Sequence, residues 1–123
     1  MRTGSPVRLL ASGLRAGSID LVRRALCRRI VATIDSGGRY AVGSPVTGRA
    51  AVAALLVRSL NQCDATIQER VVNDEPGIVF LHGPRVIAVM VTRSSLTHVR
   101  EMWVIANPDK LTSWNTFAQP AAR

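Results

Sequence analysis

The side chains able to do chemistry are few, and most stand alone. Asp35 closes a β-branched run and precedes Ser36, Gly37, Gly38 and Arg39. Such a loop can hold backbone close to a partner or present an acid at a pocket mouth. It also serves as a plain turn that needs positive φ. Glu101 stands two positions before Trp103, so on a strand the two share a face with Ile105, while His98, Arg100, Met102 and Val104 share the other. In an apolar pocket a carboxylate beside an indole has the makings of a general base; facing solvent it is only a charge. Asp35 and Glu101 are thus the two weak catalytic candidates. Glu69 lies on another extended run.

His82 and His98 have no Ser or Cys nucleophile at useful spacing. They are expected as a turn residue and a strand surface residue. Tyr40, the one tyrosine, adjoins the glycine turn, which counts against an oxyanion hole built on a tyrosine hydroxyl. Cys27 and Cys63 form no CxxC pair and have no histidine at ligand spacing. Two free, mostly buried thiols in a reducing cytoplasm are expected, with no metal site and no cofactor. Glycine-rich phosphate loops and HExxH are absent from the sequence.

The formal charge is +8, from fifteen arginines and the single Lys110 against eight acids. Arg23, Arg24, Arg28 and Arg29 form the one cluster. A basic surface attracts polyanions in a salt-dependent way. The five aromatics, Tyr40, Phe80, Trp103, Trp114 and Phe117, are not interleaved with it as base stacking would require. No helix-turn-helix pattern is visible. No sequence-specific DNA binding is expected, and only weak salt-dependent binding through the cluster.

The elements that must position these residues fit one domain of 123 residues. No apolar run approaches the roughly 20 residues of a membrane span, and Arg8 and Arg15 interrupt any secretory signal. A cytoplasmic protein with no membrane contact is expected. Helical spacing covers 7–16, with Gly17 as stop. Ser18 caps a second helix over 19–28, with Asp20 in its first turn. A strand follows over 30–35. Thr47 caps a third helix over 48–60, rich in strong helix formers. Then come β-branched or apolar stretches at 66–73, 77–82, 85–93 and 96–106, with short turns between them, the signature of antiparallel hairpins. Helices first and hairpins after make an α+β layout. A curved antiparallel sheet wrapped on the helices leaves a central pocket between them.

Three motifs carry a family resemblance. Asp35-Ser-Gly-Gly-Arg39 resembles an Asp-Gly-Gly-Gly-Lys/Arg motif. Val72-Asn-Asp-Glu-Pro-Gly77, with Asn73, Pro76 and Gly77, resembles a Val-Asn-Gly-x-Pro-Gly turn. Asn107-Pro108-Asp109-Lys110-Leu111 reproduces an Asn-Pro-Asp-Lys-Leu motif. In this order they resemble the SnoaL-like domain of the nuclear transport factor 2-like superfamily. The nearest type is the one found at the C-terminus of sigma-J-type extracytoplasmic-function sigma factors of actinobacteria. Ser36 stands where that family has glycine, and Cys27-Arg-Arg-Ile30 where it has a Pro-Asp-type break.

The resemblance implies a cone-shaped α+β fold over 7–114, with 1–6 a disordered start and 115–123 a loose tail. It implies a stand-alone regulatory or ligand-sensing module without the promoter-reading domains, for which 1–6 leave no room. Its partners would be sigma-factor domains or RNA polymerase, a small hydrophobic ligand in the pocket, or a second copy. The regulatory contacts would be Asp35, Gly37, Gly38, Arg39 and residues 107–111. Within the pentapeptide, Asp109 and Lys110 would dock and Leu111 would anchor the loop. The same superfamily holds small isomerases, cyclases and epoxide hydrolases, so a pocket enzyme is the alternative, as is a truncated product without its own activity.

Overall fold

The computed structural model describes residues 5–35, 45–72 and 74–115. Three helices pack together: α1 (Pro6–Ala16), α2 (Ile19–Ala25) and α3 (Arg49–Asn61). Six strands follow or intervene: β1 (Leu26–Asp35), β2 (Val46–Thr47), β3 (Thr66–Val72), β4 (Glu75–His82), β5 (Arg85–Ser94) and β6 (Val99–Ile105). They form one curved sheet in the order β2-β1-β6-β5-β4-β3. The architecture is the expected α+β one, helices first and sheet after.

Local chemistry explains the helix ends. Gly17, at φ 65°, ends α1, and the Gly17 and Ser18 amides donate to Leu14 and Gly13 carbonyls. The Ser18 hydroxyl then accepts from the Leu21 amide at 3.1 Å and starts α2. Two expectations need correction. The second helix does not reach Arg28; it stops at Ala25, and β1 begins at Leu26 rather than Ile30. Leu26, Ile30 and Ala32 are all buried, and pairing with β6 satisfies backbone that a longer helix would have satisfied internally. A bulge takes up the mismatch: Leu26 pairs with Val99, but Val31 pairs with Glu101. Thr47 is no helix cap either. It lies in β2, and Gly48, without a side chain to offer, is the N-cap of α3.

The strands β3 to β6 form three antiparallel hairpins, as expected. The sheet is not wholly antiparallel, however. β1 lies parallel to β6, between β6 and the short antiparallel β2. β6 starts at Val99, so His98 lies in the preceding loop and not on a strand. Its ring contacts the Thr97 hydroxyl at 2.8 Å. His82 ends β4 and meets the Asp64 carbonyl at 3.1 Å.

Both sheet faces are packed. Ile78, Phe80, Met90, Met102 and Val104 face the helices and join Leu10, Leu14, Val22, Val52 and Leu56 in one core. The alternate positions Val79, Val89, Val91 and Ile105 face away and are covered by Leu111 and Trp114. A single helical turn at 112–115 holds this cover in place. Asn115, where the loose tail was expected to begin, accepts from the Val86 amide at 2.7 Å and donates to the Val86 carbonyl at 3.2 Å. Residues 116–123 lie outside the described residues.

Candidate functional site

Because β1 and β6 are parallel, their C-terminal ends lie side by side. Asp35 pairs with Ile105, and the Ala106 amide donates to the Asp35 carbonyl at 2.7 Å. The chain then turns. Asn107 is extended by the proline that follows, and its side-chain oxygen accepts from the Asp109 amide at 3.1 Å. Its carbonyl accepts from the Lys110 and Leu111 amides. This turn swings Lys110 back toward β1, where its ammonium donates to the Asp35 carboxylate. Leu111 points the other way and is 3% exposed, inside the outer-face cluster.

Two of the three motifs that carry the resemblance therefore meet at one corner. The expectation that Asp109 and Lys110 act together as a free charge pair is modified: Lys110, though exposed, is already bound to Asp35, while exposed Asp109 has no ion pair among the described residues. Gly37, Gly38 and Arg39, expected at the same site, lie outside the described residues, as does Asn73 of the turn motif.

Beside this corner the outer sheet face carries a cleft of about 400 Å³, lined by Thr33, Asp35, Val91, Trp103, Ile105 and Lys110. The register explains its floor. Gly77, Val91, Trp103 and Thr33 form one row across β4, β5, β6 and β1. Gly77 of the Val72–Gly77 motif thus sits in the row that Trp103 dominates, between Val91 of β5 and Arg70 of β3. A Cβ on Gly77 would come within 2.5 Å of the Met90 carbonyl, so the sheet admits no side chain there. Asp74, in the preceding turn, has φ 65°, where the family motif has glycine. Pro76 accepts a 2.7 Å hydrogen bond from Thr92, the one buried polar side chain among the described residues.

Glu101 takes the plain-charge role of its two readings. It lies on the outer face and pairs with Arg93 at 3.5 Å, and the Arg93 guanidinium sits 5.7 Å from the Trp103 ring centre. Glu69 is likewise at the surface, 3.9 Å from Arg8 and 3.8 Å from Arg15. The helix-facing interior, where an acid would need to sit for pocket catalysis, is filled by Leu10, Leu26, Ile30, Ile78, Met90 and Met102. At its edge an open cleft of about 420 Å³ runs between α1, α3 and β3, lined by Leu14, Arg15, Leu60 and Ile67 among others. The cysteines are free but not buried: Cys27 is half-buried and Cys63 exposed. No helix among the described residues is long and apolar enough to cross a membrane.

Sequence reasoning missed Thr33 and Val91 as site residues. Their signal was positional, since strand alternation put Trp103 and Ile105 on one face, but nothing local says which strand lies next to β6.

No family model matches the chain, and no curated protein does. Solved structures do. The extracytoplasmic-function sigma factor SigJ of Mycobacterium tuberculosis is 26% identical, with a TM-score of 0.66 over 87% of this chain. The match takes in 42% of the sigma factor, so this chain spans less than half of its length. A SnoaL-like protein of unknown function from Burkholderia thailandensis is 14% identical, with a TM-score of 0.59 over 79% of this chain and 87% of that one. TerC, crystallised with polyporic acid, is 12% identical, with a TM-score of 0.61 over 90% and 95%. The chain has the SnoaL-like fold of the nuclear transport factor 2-like kind, and it resembles the C-terminal region of a sigma-J-type factor.

Proposed function

We propose that this chain is a regulatory module that docks onto sigma-factor or RNA polymerase elements in the cytoplasm and thereby tunes transcription. One observation carries the reading. The strand-end motif at Asp35 and the pentapeptide 107–111 converge on one corner, joined by the Asp35–Lys110 ion pair, beside an apolar cleft floored by Trp103. The likeness to a sigma factor supports the choice of partner. The corner has the make-up of a recognition surface. Pro108 stiffens the loop, so little entropy is lost on docking. Leu111 holds the loop from below. Asp109 offers a charge with no partner among the described residues, and Trp103 supplies apolar area at the centre, as interface anchors do.

The test is a titration of the full chain against a sigma-J-type factor lacking its own C-terminal region. Association is expected. It should weaken at least several-fold in Asp109→Ala and in Trp103→Ala, with melting temperature monitored on the same samples. No association with the sigma fragment or with core polymerase overturns the reading. Association that survives both substitutions in folded protein moves the contact away from this corner.

A further inference from the structure

The basic cluster seen in the sequence is not the one the fold builds. Arg23 and Arg24, in the last turn of α2, both reach Asp20, at 2.9 and 3.2 Å. Their charge is partly spent within their own helix. Arg28 and Arg29 lie in the β1 bulge and are exposed, their side chains with no ion pair or hydrogen bond among the described residues. The bulge sets the four residues from Cys27 to Ile30 opposite Arg100 alone on β6, because the pairing jumps from Leu26–Val99 to Val31–Glu101. On the other side, the Gly48 amide donates to the Ile30 carbonyl at 3.0 Å, which brings the start of α3 against the same bulge. Arg49 is the first residue of that helix, and no acid occupies its first turn. Arg49 and Arg100 are also exposed and without partners among the described residues. Three elements, far apart in sequence, thus meet at one bulge through their backbones and bring to it four exposed arginines without partners among the described residues.

From this juxtaposition we infer that the bulge surface, Arg28, Arg29, Arg49 and Arg100, binds the phosphodiester backbone of duplex DNA without reading its sequence. The charge of the patch selects a polyanion, and a duplex carries about one charge per 1.7 Å of axis. Arginine forks match phosphate oxygens two at a time. A single strand fits less well. Stacking needs open aromatic faces, and Trp103 has Arg93 over its ring. A protein partner fits less well too, since an interface core needs apolar or aromatic anchors among its charges, and the bulge surface presents arginine. The inference stands apart from the corner at Asp35 and does not depend on it.

The test uses the full chain and a fluorescent duplex of random sequence, with a single strand of equal length and a polyglutamate of equal charge as competitors. Four phosphate contacts predict a slope of log affinity against log salt of about −3.6, or roughly a hundredfold loss between 50 and 200 mM salt. The double variant Arg28→Ala with Arg100→Ala should halve the slope to about −1.8 and reduce the salt loss to roughly tenfold. The control Arg58→Ala with Arg85→Ala removes the same charge from exposed sites elsewhere and should leave the slope near its starting value. Melting curves confirm folding of each variant. Equal losses in the two doubles mean that net charge, not the patch, attracts DNA, and overturn the inference. Competition by polyglutamate as strong as by the duplex overturns it in favour of an acidic protein. Tighter binding of the single strand overturns it as well.

Discussion

The Lys110 ammonium donates to the Asp35 carboxylate across 75 positions of chain. The contact ties the end of β1 to the turn after β6, two segments that the parallel pairing already sets side by side. Its role is better described as orientation than as stability. The Lys110 side chain is 61% exposed and that of Asp35 34%, so solvent screens the pair. A double-mutant cycle with Asp35→Asn and Lys110→Met in urea should give a coupling of about 0.5–1 kcal/mol. A coupling several times larger would make the corner a structural clamp.

Leu111 carries the structural share of the pentapeptide. It is buried against Val72, Val79, Val86 and Val89 on the outer sheet face. Leu111→Ala should cost about 2–4 kcal/mol of unfolding free energy, the transfer and cavity terms together. Asn115→Ala removes bonds to both backbone groups of Val86 and should cost about 1–2 kcal/mol. Urea melts of the two variants check both figures.

The β3–β4 hairpin holds two opposite expectations three residues apart, one in the turn and one in β4. Asp74 has φ 65°, a conformation that glycine adopts more cheaply. Asp74→Gly should therefore stabilise the fold, by about 0.5–1 kcal/mol. Gly77→Ala should destabilise it by about 1–3 kcal/mol. The Met90 carbonyl that a Cβ would strike is backbone on the neighbouring strand and cannot retreat without disturbing the ladder. Thermal melts that move in the same direction for both would refute this account.

Ser18→Ala should cost about 1 kcal/mol, because the hydroxyl supplies the one side-chain cap of α2. That helix is seven residues long, yet it carries Val22 and Ala25 into the core. Hydrogen exchange should show faster opening of α2 in the variant, with β4 and β5 protected as before.

Much of the fold was legible because it rests on local rules. Gly17 and Ser18 mark the junction of α1 and α2 by cap chemistry that involves residues three to five positions away. The links from Val72 to Glu75 and from His82 to Arg85 are short enough to force antiparallel neighbours. Alternation grouped Glu101, Trp103 and Ile105 on one face of β6 and Met102 with Val104 on the other. The motif at 107–111 announced its turn through Asn107-Pro108, and the turn is there.

What the tertiary structure decided is of another kind. Residues 26–28 carry helical propensity and are nonetheless strand and bulge, because β6 supplies pairing and the core takes Leu26. Alternation could not say which face of β6 is inside. Packing against the helices settled that, and it set Glu101 beside Arg93 instead of in a pocket. The union of Asp35 with Lys110, the row from Gly77 to Thr33, and the meeting of Arg28, Arg29, Arg49 and Arg100 all depend on β1 lying parallel to β6 or on the bulge in that pairing. Such pairings join segments separated by dozens of residues. Their closure entropy is recovered only when both faces of the whole sheet are buried at once. Local sequence therefore specified the pieces, and the competition for burial chose which pieces became neighbours.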